Sequence, residues 1–155
     1  MDETRENPMA LALAEAEAAA ARGEVPVGAV VTDAEGRVLA SAGNRVEELN
    51  DPSAHAEILA IRAAAAKTGS PRLTGCDLHV TLEPCPMCAQ AISFARIRRL
   101  AFGAYDPKGG GVEHGPRIYH QTTCHHQPEV VGGVEERRAG DLLREFFRDR
   151  RPDRS

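Results

Sequence analysis

Apolar and polar positions along this chain change rhythm several times, and the changes mark its elements. Asn7-Pro8 reads as an N-cap with proline at the first helical position, opening an Ala/Leu/Glu-rich helix that ends near Gly23. Val27–Thr32 is a short β-branched run, Asp33-Ala34-Glu35-Gly36 is turn chemistry, and Arg37–Ala42 reads as the returning strand of a hairpin. Gly43–Asp51 is polar and predicts a loop. A helix is predicted over Ala54–Lys67 with Ser53 as its N-cap, ended by the Gly, Ser and Pro of Thr68–Gly75. Asp77–Leu82 alternates as a strand does, Pro84 opens a helix to about Ala95, and Arg98–Phe102 predicts another strand. Asp106–Gly115 is glycine-rich and irregular, Val130–Val131 is a weak strand, and a terminal helix runs from about Glu135 to Arg148. Helices placed between the later strands argue an α/β domain with helices on both sheet faces.

Length adds that residues 1–155 fit one domain, with no internal repeat or low-complexity linker. No stretch approaches the roughly 18 apolar residues of a membrane helix. The acidic start, Met1-Asp2-Glu3-Thr4-Arg5-Glu6, lacks a signal-peptide profile, so a soluble cytoplasmic protein with no membrane partner is expected. Charge is uneven: residues 1–60 carry 4 basic and 12 acidic side chains, whereas residues 61–155 carry 15 and 11. RNA could therefore be held only by a local basic surface. Arg96, Arg98 and Arg99 form one candidate and Arg144, Arg148, Arg150, Arg151 and Arg154 another, though either could be a solvated face.

The chemistry concentrates in His55-Ala56-Glu57 and, 27 residues on, Pro84-Cys85-Pro86-Met87-Cys88. Cys85 and Cys88, at i and i+3, share a helical face beside the positive end of a helix dipole, which favours thiolates. With His55 they make a three-ligand zinc set, leaving one coordination position open for water whose pKa zinc can lower toward about 7. Glu57 remains off the metal as a proton carrier. Residues i and i+2 diverge on a regular helix, so His55 and Glu57 can converge only if the helix end itself faces the site. The Cys-x-x-Cys segment alone also describes a thioredoxin-type redox pair, and a structural zinc site would need a fourth protein ligand. Adding His55-Ala56-Glu57 points away from both. Of four cysteines, Cys76 reads as a core residue and Cys124-His125-His126 as loop rather than a second metal site. Gly109-Gly110-Gly111 lacks the Lys-Ser/Thr of a phosphate loop and reads as a loop needing unusual backbone angles.

His-x-Glu followed by Pro-Cys-x-x-Cys is a recognised pattern of zinc deaminases, tRNA enzymes among them. Over nearly its whole length the chain resembles bacterial tRNA-specific adenosine deaminases. The matching segments are Glu24–Val30, Gly43-Asn44-Arg45, Asp51–Glu57, His79–Cys85, Ala95–Arg99, Phe102–Lys108 and Phe146-Phe147-Arg148. The resemblance implies a three-layer α/β/α cytidine deaminase-like fold around a mixed five-stranded sheet, with one zinc ion. It implies hydrolytic deamination of the wobble adenosine in a tRNA anticodon loop, by a homodimer. Asn44 resembles the family's base-recognition residue, and the N–H groups of Ala56 and Cys85 would face oxygen or base atoms. Asp106, Lys108, Phe147 and Arg148, with the helix near 135–150, would contact RNA, while Phe146 or Phe147 could instead pack in the core. Residues 110–128, with His114, His120, Cys124, His125 and His126, depart from the family pattern, which bears on tRNA choice more than on chemistry. The alternatives are a deaminase of a free base or nucleoside, such as guanine or cytosine, and an RNA-binding zinc module that would not need Glu57.

Overall fold

The protein was examined as a computed structural model that describes residues 7–150. Asn7 caps α1 (Pro8–Ala21), its Oδ1 accepting the Met9 N–H at 3.0 Å. β1 (Gly28–Thr32) and β2 (Val38–Gly43) form the antiparallel hairpin, turned by an Asp33 carboxylate that accepts the N–H groups of Glu35 and Arg37. Then follow α2 (Val46–Leu49), α3 (Ala56–Thr68), β3 (Asp77–Leu82), α4 (Pro86–Phe94) and β4 (Arg99–Ala104). A 3-10 turn at Ile118–His120 leads to the short β5 (Glu129–Val131) and to α5 (Glu136–Arg150).

One mixed sheet results, in the order β2-β1-β3-β4-β5. β1 runs antiparallel to β2 and β3, with Val30 opposite His79, whereas β3, β4 and β5 are mutually parallel, with Leu78 opposite Leu100. Successive residues of a strand face opposite ways, so Val30 joins one core and its neighbours Ala29 and Val31 the other. α1 and α5 cover the first face, where Met9, Ala12 and Leu13 meet Val30, Ala104 and Ala139. α3 and α4 cover the second, with Ala60, Ala64, Ala89 and Ile92 against Val31, Leu78, Val80 and Phe102. The alanine-rich face of α1 lies so close to the sheet that a Cβ on Gly28 would stand 1.9 Å from the Ala12 carbonyl oxygen. No helix among the described residues is long and apolar enough to cross a membrane.

Two helix starts differ from the prediction and one helix was not predicted, each for an identifiable reason. α3 begins at Ala56 with His55 as its N-cap, because Ser53 is drawn into a turn on Asp51, donating both its N–H and its hydroxyl to that carboxylate. α4 begins at Pro86 with Cys85 as N-cap, not at Pro84: a proline forces the residue before it into extended backbone, and Cys85 has φ −70° and ψ 170°. The loop after β2 contains α2, whose Glu47 and Glu48 N–H groups are accepted by the carboxylate of distant Glu24 at 3.1 and 2.8 Å. The glycines at 109–111 do not take left-handed angles. What Gly110 and Gly111 need is space: a Cβ there would meet Glu83 Oε2 at 2.4 Å or Pro86 Cα at 2.6 Å.

Candidate active site

The start of β1 and the ends of β2, β3 and β4 lie at one edge of the sheet, as the pairings of Gly28 with Gly43 and Leu82 with Ala104 require. Ligand sites of α/β proteins form outside such strand ends. Two helix N-termini are delivered there, α3 by His55 and α4 by Cys85. As an N-cap, His55 has extended backbone (φ −74°, ψ 150°), which removes the divergence expected of two helical residues at i and i+2. Its imidazole and the Glu57 carboxyl consequently border one cavity.

His55 Nδ1 lies 3.6 Å from Cys85 Sγ and 3.4 Å from Cys88 Sγ, with all three donor atoms within 4.8 Å of one another. A tetrahedral zinc ion bound at about 2.3 Å to sulfur and about 2.0 Å to nitrogen sets such N···S pairs roughly 3.5 Å apart. The donor set therefore fits zinc, and among the described residues it is the one cluster of this kind. Cys85 is drawn down to about 4 by the hydrogen bond from Cys88, and by His55, against burial. The same bond and burial push the Cys88 thiol up. His55 is raised by its bond to Cys85. Cys124 and His126 are engaged elsewhere, Cys124 with Ser93 Oγ and the His126 carbonyl, His126 with the Ile97 carbonyl at 2.7 Å. Cys76 is buried just before β3.

Glu57 is 4% exposed, and burial pushes its pKa up to about 7 against the pull of its own N–H and of His55. A carboxyl poised near neutrality suits proton transfer. It stands in a cavity of about 540 Å³ together with His55, Cys85, Asn44, Glu83 and Phe146. Val25, Leu82, Asp106 and Gly109 border both this cavity and a neighbouring groove of about 1170 Å³. That groove is further lined by Lys108 and by Arg144, Phe147, Arg148 and Arg150 of α5.

The expected site residues thus divide into a floor and a groove. Asn44 is at the cavity, but its Oδ1 accepts the Ala56 N–H at 2.7 Å. The Ala56 N–H, expected to face substrate, is instead donated to the Asn44 side chain in this structure. Asp106 Oδ1 accepts the N–H groups of Lys108 and Gly109, folding the loop on itself. Phe146 is buried, with the Arg150 guanidinium 4.0 Å from its ring centroid, while Phe147 is 48% exposed. The other basic cluster is remote from the site: Arg98 pairs with Asp77 and Arg99 with Glu129, at the opposite strand ends. Arg151 and Arg154 lie outside the described residues. Sequence reading missed Glu24 and Glu83, both buried at the border of the cavity with their carboxylates turned onto backbone N–H groups. The one signal for Glu83 was a carboxylate between a strand and Pro-Cys.

Two cysteine sulfurs and an imidazole, with an acid beside them that is not one of the donors, at the strand ends of an α/β/α sheet, define the zinc-binding hydrolytic deaminases. Residues 2–104 match the family model for the cytidine and deoxycytidylate deaminase zinc-binding region. The chain is 59% identical over 145 residues to the tRNA-specific adenosine deaminase of Agrobacterium fabrum, covering 94% of this chain and 95% of that one. It belongs to the tRNA-specific adenosine deaminases within that zinc-binding family. A solved structure from studies of A-to-I editing by tRNA:A34 deaminases at the wobble position of transfer RNA superposes with a TM-score of 0.86. It shares 58% identity and covers 88% of this chain and 98% of its own. Guanine deaminase from Nitrosomonas europaea has the same fold at 28% identity and a TM-score of 0.73, over 90% and 82% of the two chains. The mixed five-stranded sheet between helical layers is the fold class expected from the sequence.

Proposed function

We propose that this enzyme hydrolytically deaminates the wobble adenosine of a tRNA anticodon loop, giving inosine and ammonia, through one domain spanning residues 1–155. The observation carrying this reading is the convergence of His55, Cys85, Cys88 and unligated Glu57 at a cavity of about 540 Å³ that adjoins a groove carrying Lys108, Arg148 and Phe147. His55, Cys85 and Cys88 would hold zinc, which when bound activates water as a nucleophile at neutral pH. Glu57 takes a proton from the attacking water and delivers one to N1 of adenine as C6 gains oxygen. It then takes the second proton from the hydroxyl now on C6 and passes it to the departing amino group, so that the C6–N bond breaks, one water is consumed and ammonia is released. Asn44, held by Ala56, turns its amide N–H toward the base.

The target nucleotide must leave its stack, and a loop nucleotide does so at low cost. Phe147 offers a stacking face for a flanking base, and Lys108, Arg148 and the rest of the helix near 135–150 offer cations to phosphates. We also infer a homodimer and, from the nature of the substrate, a cytoplasmic site of action. The dimer is supported by Met87 and Phe94, which are 40% and 68% exposed and one heptad apart on α4. Light scattering at micromolar concentration tests it. An anticodon stem-loop with wobble adenosine, set against free guanine, cytosine and adenosine, tests the reaction. Inosine in the RNA is expected; ammonia from a free base with no inosine would transfer the assignment to a base deaminase.

A further inference from the structure

The Glu83 carboxylate has no exposed side-chain surface and is not among the metal donors. Its Oε1 accepts the Asp106 N–H at 3.0 Å and the Nδ1–H of His114 at 2.8 Å. Its Oε2 accepts the N–H groups of Val112, Glu113 and His114 at 3.2, 2.9 and 3.1 Å. Burial alone would raise the pKa of this group, but the hydrogen bonds outweigh it and hold the carboxyl below its usual range. An ionised carboxylate only accepts, so His114 carries its proton on Nδ1. The loop closes on the carboxylate so tightly that Gly110 has no room for a Cβ, and the Gly111 N–H donates to the Pro84 carbonyl at 2.8 Å. One end of this arrangement is the Glu83-Pro84-Cys85 strand end. The other is Asp106–Gly109, which separates the cavity from the groove.

We infer that Glu83 is a positioning residue that fixes the 106–114 loop as the wall between the base cavity and the RNA groove, with His114 as its side-chain partner. Its effect on turnover rests on the proposed tRNA reaction, whereas the anchoring itself does not. Glu83→Gln conserves shape but sets an amide NH₂ against backbone N–H groups in either orientation, so at least one charge-assisted bond is lost. Because His114 is half-exposed, His114→Ala removes one of the five donors without opening the core.

Amide hydrogen exchange and steady-state kinetics on the anticodon stem-loop, with zinc content measured in parallel, test this. In Glu83→Gln, exchange at Asp106 and 112–114 should accelerate and KM rise on the order of tenfold. Over the same comparison kcat should stay within about threefold and zinc at one per chain. His114→Ala should move KM in the same direction by less. Unchanged exchange would overturn the anchoring, and accelerated exchange with unchanged KM would overturn the positioning. A loss confined to kcat, or loss of zinc, would assign Glu83 to the cysteine helix instead. If Glu83→Gln fails to fold, an unaltered KM in His114→Ala overturns the inference. If the unaltered enzyme leaves the stem-loop untouched, the tRNA assignment fails, and the exchange measurement still decides the anchoring.

Discussion

Glu57 and Glu83 are 4% and 2% exposed and border the same cavity, one on its floor and one behind its wall. Glu83 faces five N–H donors, all from the 106–114 loop, and is held ionised below the ordinary carboxylate range. Glu57 gains far less compensation, and burial carries it up to about 7. Depth alone therefore does not decide what a buried acid does; the number of donors aimed at it does. A fully satisfied carboxylate organises backbone. An under-satisfied one beside a metal site is left free to exchange protons.

The strongest way to break this contrast is to remove the floor. Cys88→Ser should lower zinc from one per chain to near zero, measured by atomic absorption, and inosine formation should vanish with it while far-ultraviolet dichroism is retained. Next in size is the groove. Phe147→Ala should reduce kcat/KM for the stem-loop by about 1–3 kcal/mol of stacking, with little change in zinc. Arg148→Ala should cost a few-fold at low salt, and the slope of log affinity against log salt should fall by about one. Equal losses for both at high and low salt would deny Arg148 a phosphate contact.

Stability against pH sharpens the comparison most finely, in protein stripped of zinc by chelator. Glu57 has a folded pKa of about 7, above the ordinary carboxylate value of 4.5, so its ionisation in the fold is unfavourable. That cost is absent below about 4.5 and complete above about 7, so Glu57→Gln should stabilise at pH 8 and lose its advantage by pH 4. Glu83 has the opposite sign: its pKa is depressed, and its stabilisation is present above 4.5 and lost as pH falls through the folded value. Glu83→Gln should therefore destabilise at pH 8, with the gap to the parent closing in acid. Urea denaturation at several pH values measures both.

Much of this was legible in the residues alone. Asp77–Leu82 was bounded as the strand that forms, Asn7 was read as the cap it is, and the zinc donors followed from spacing. The starts of α3 and α4 were not, because the Asp51–Ser53 turn and the effect of Pro86 on Cys85 compete with simpler capping rules. α2 was missed because the carboxylate that accepts its N-terminal N–H groups, Glu24, lies more than twenty residues away. The Asn44–Ala56 bond and the role of Glu83 depend on which groups become buried together, and composition carries no trace of that. Gly110 and Gly111 were assigned to backbone angle when the constraint is volume.

In the proposed reaction His55, Cys85 and Cys88 bind the metal while Glu57, unligated, moves the protons. Glu57→Gln, assayed by single-turnover inosine formation on the anticodon stem-loop alongside zinc content, addresses it most directly. One zinc per chain and a rate lower by about 10²–10⁴ are expected. Turnover near that of the parent, or loss of the metal together with the acid, would contradict this assignment.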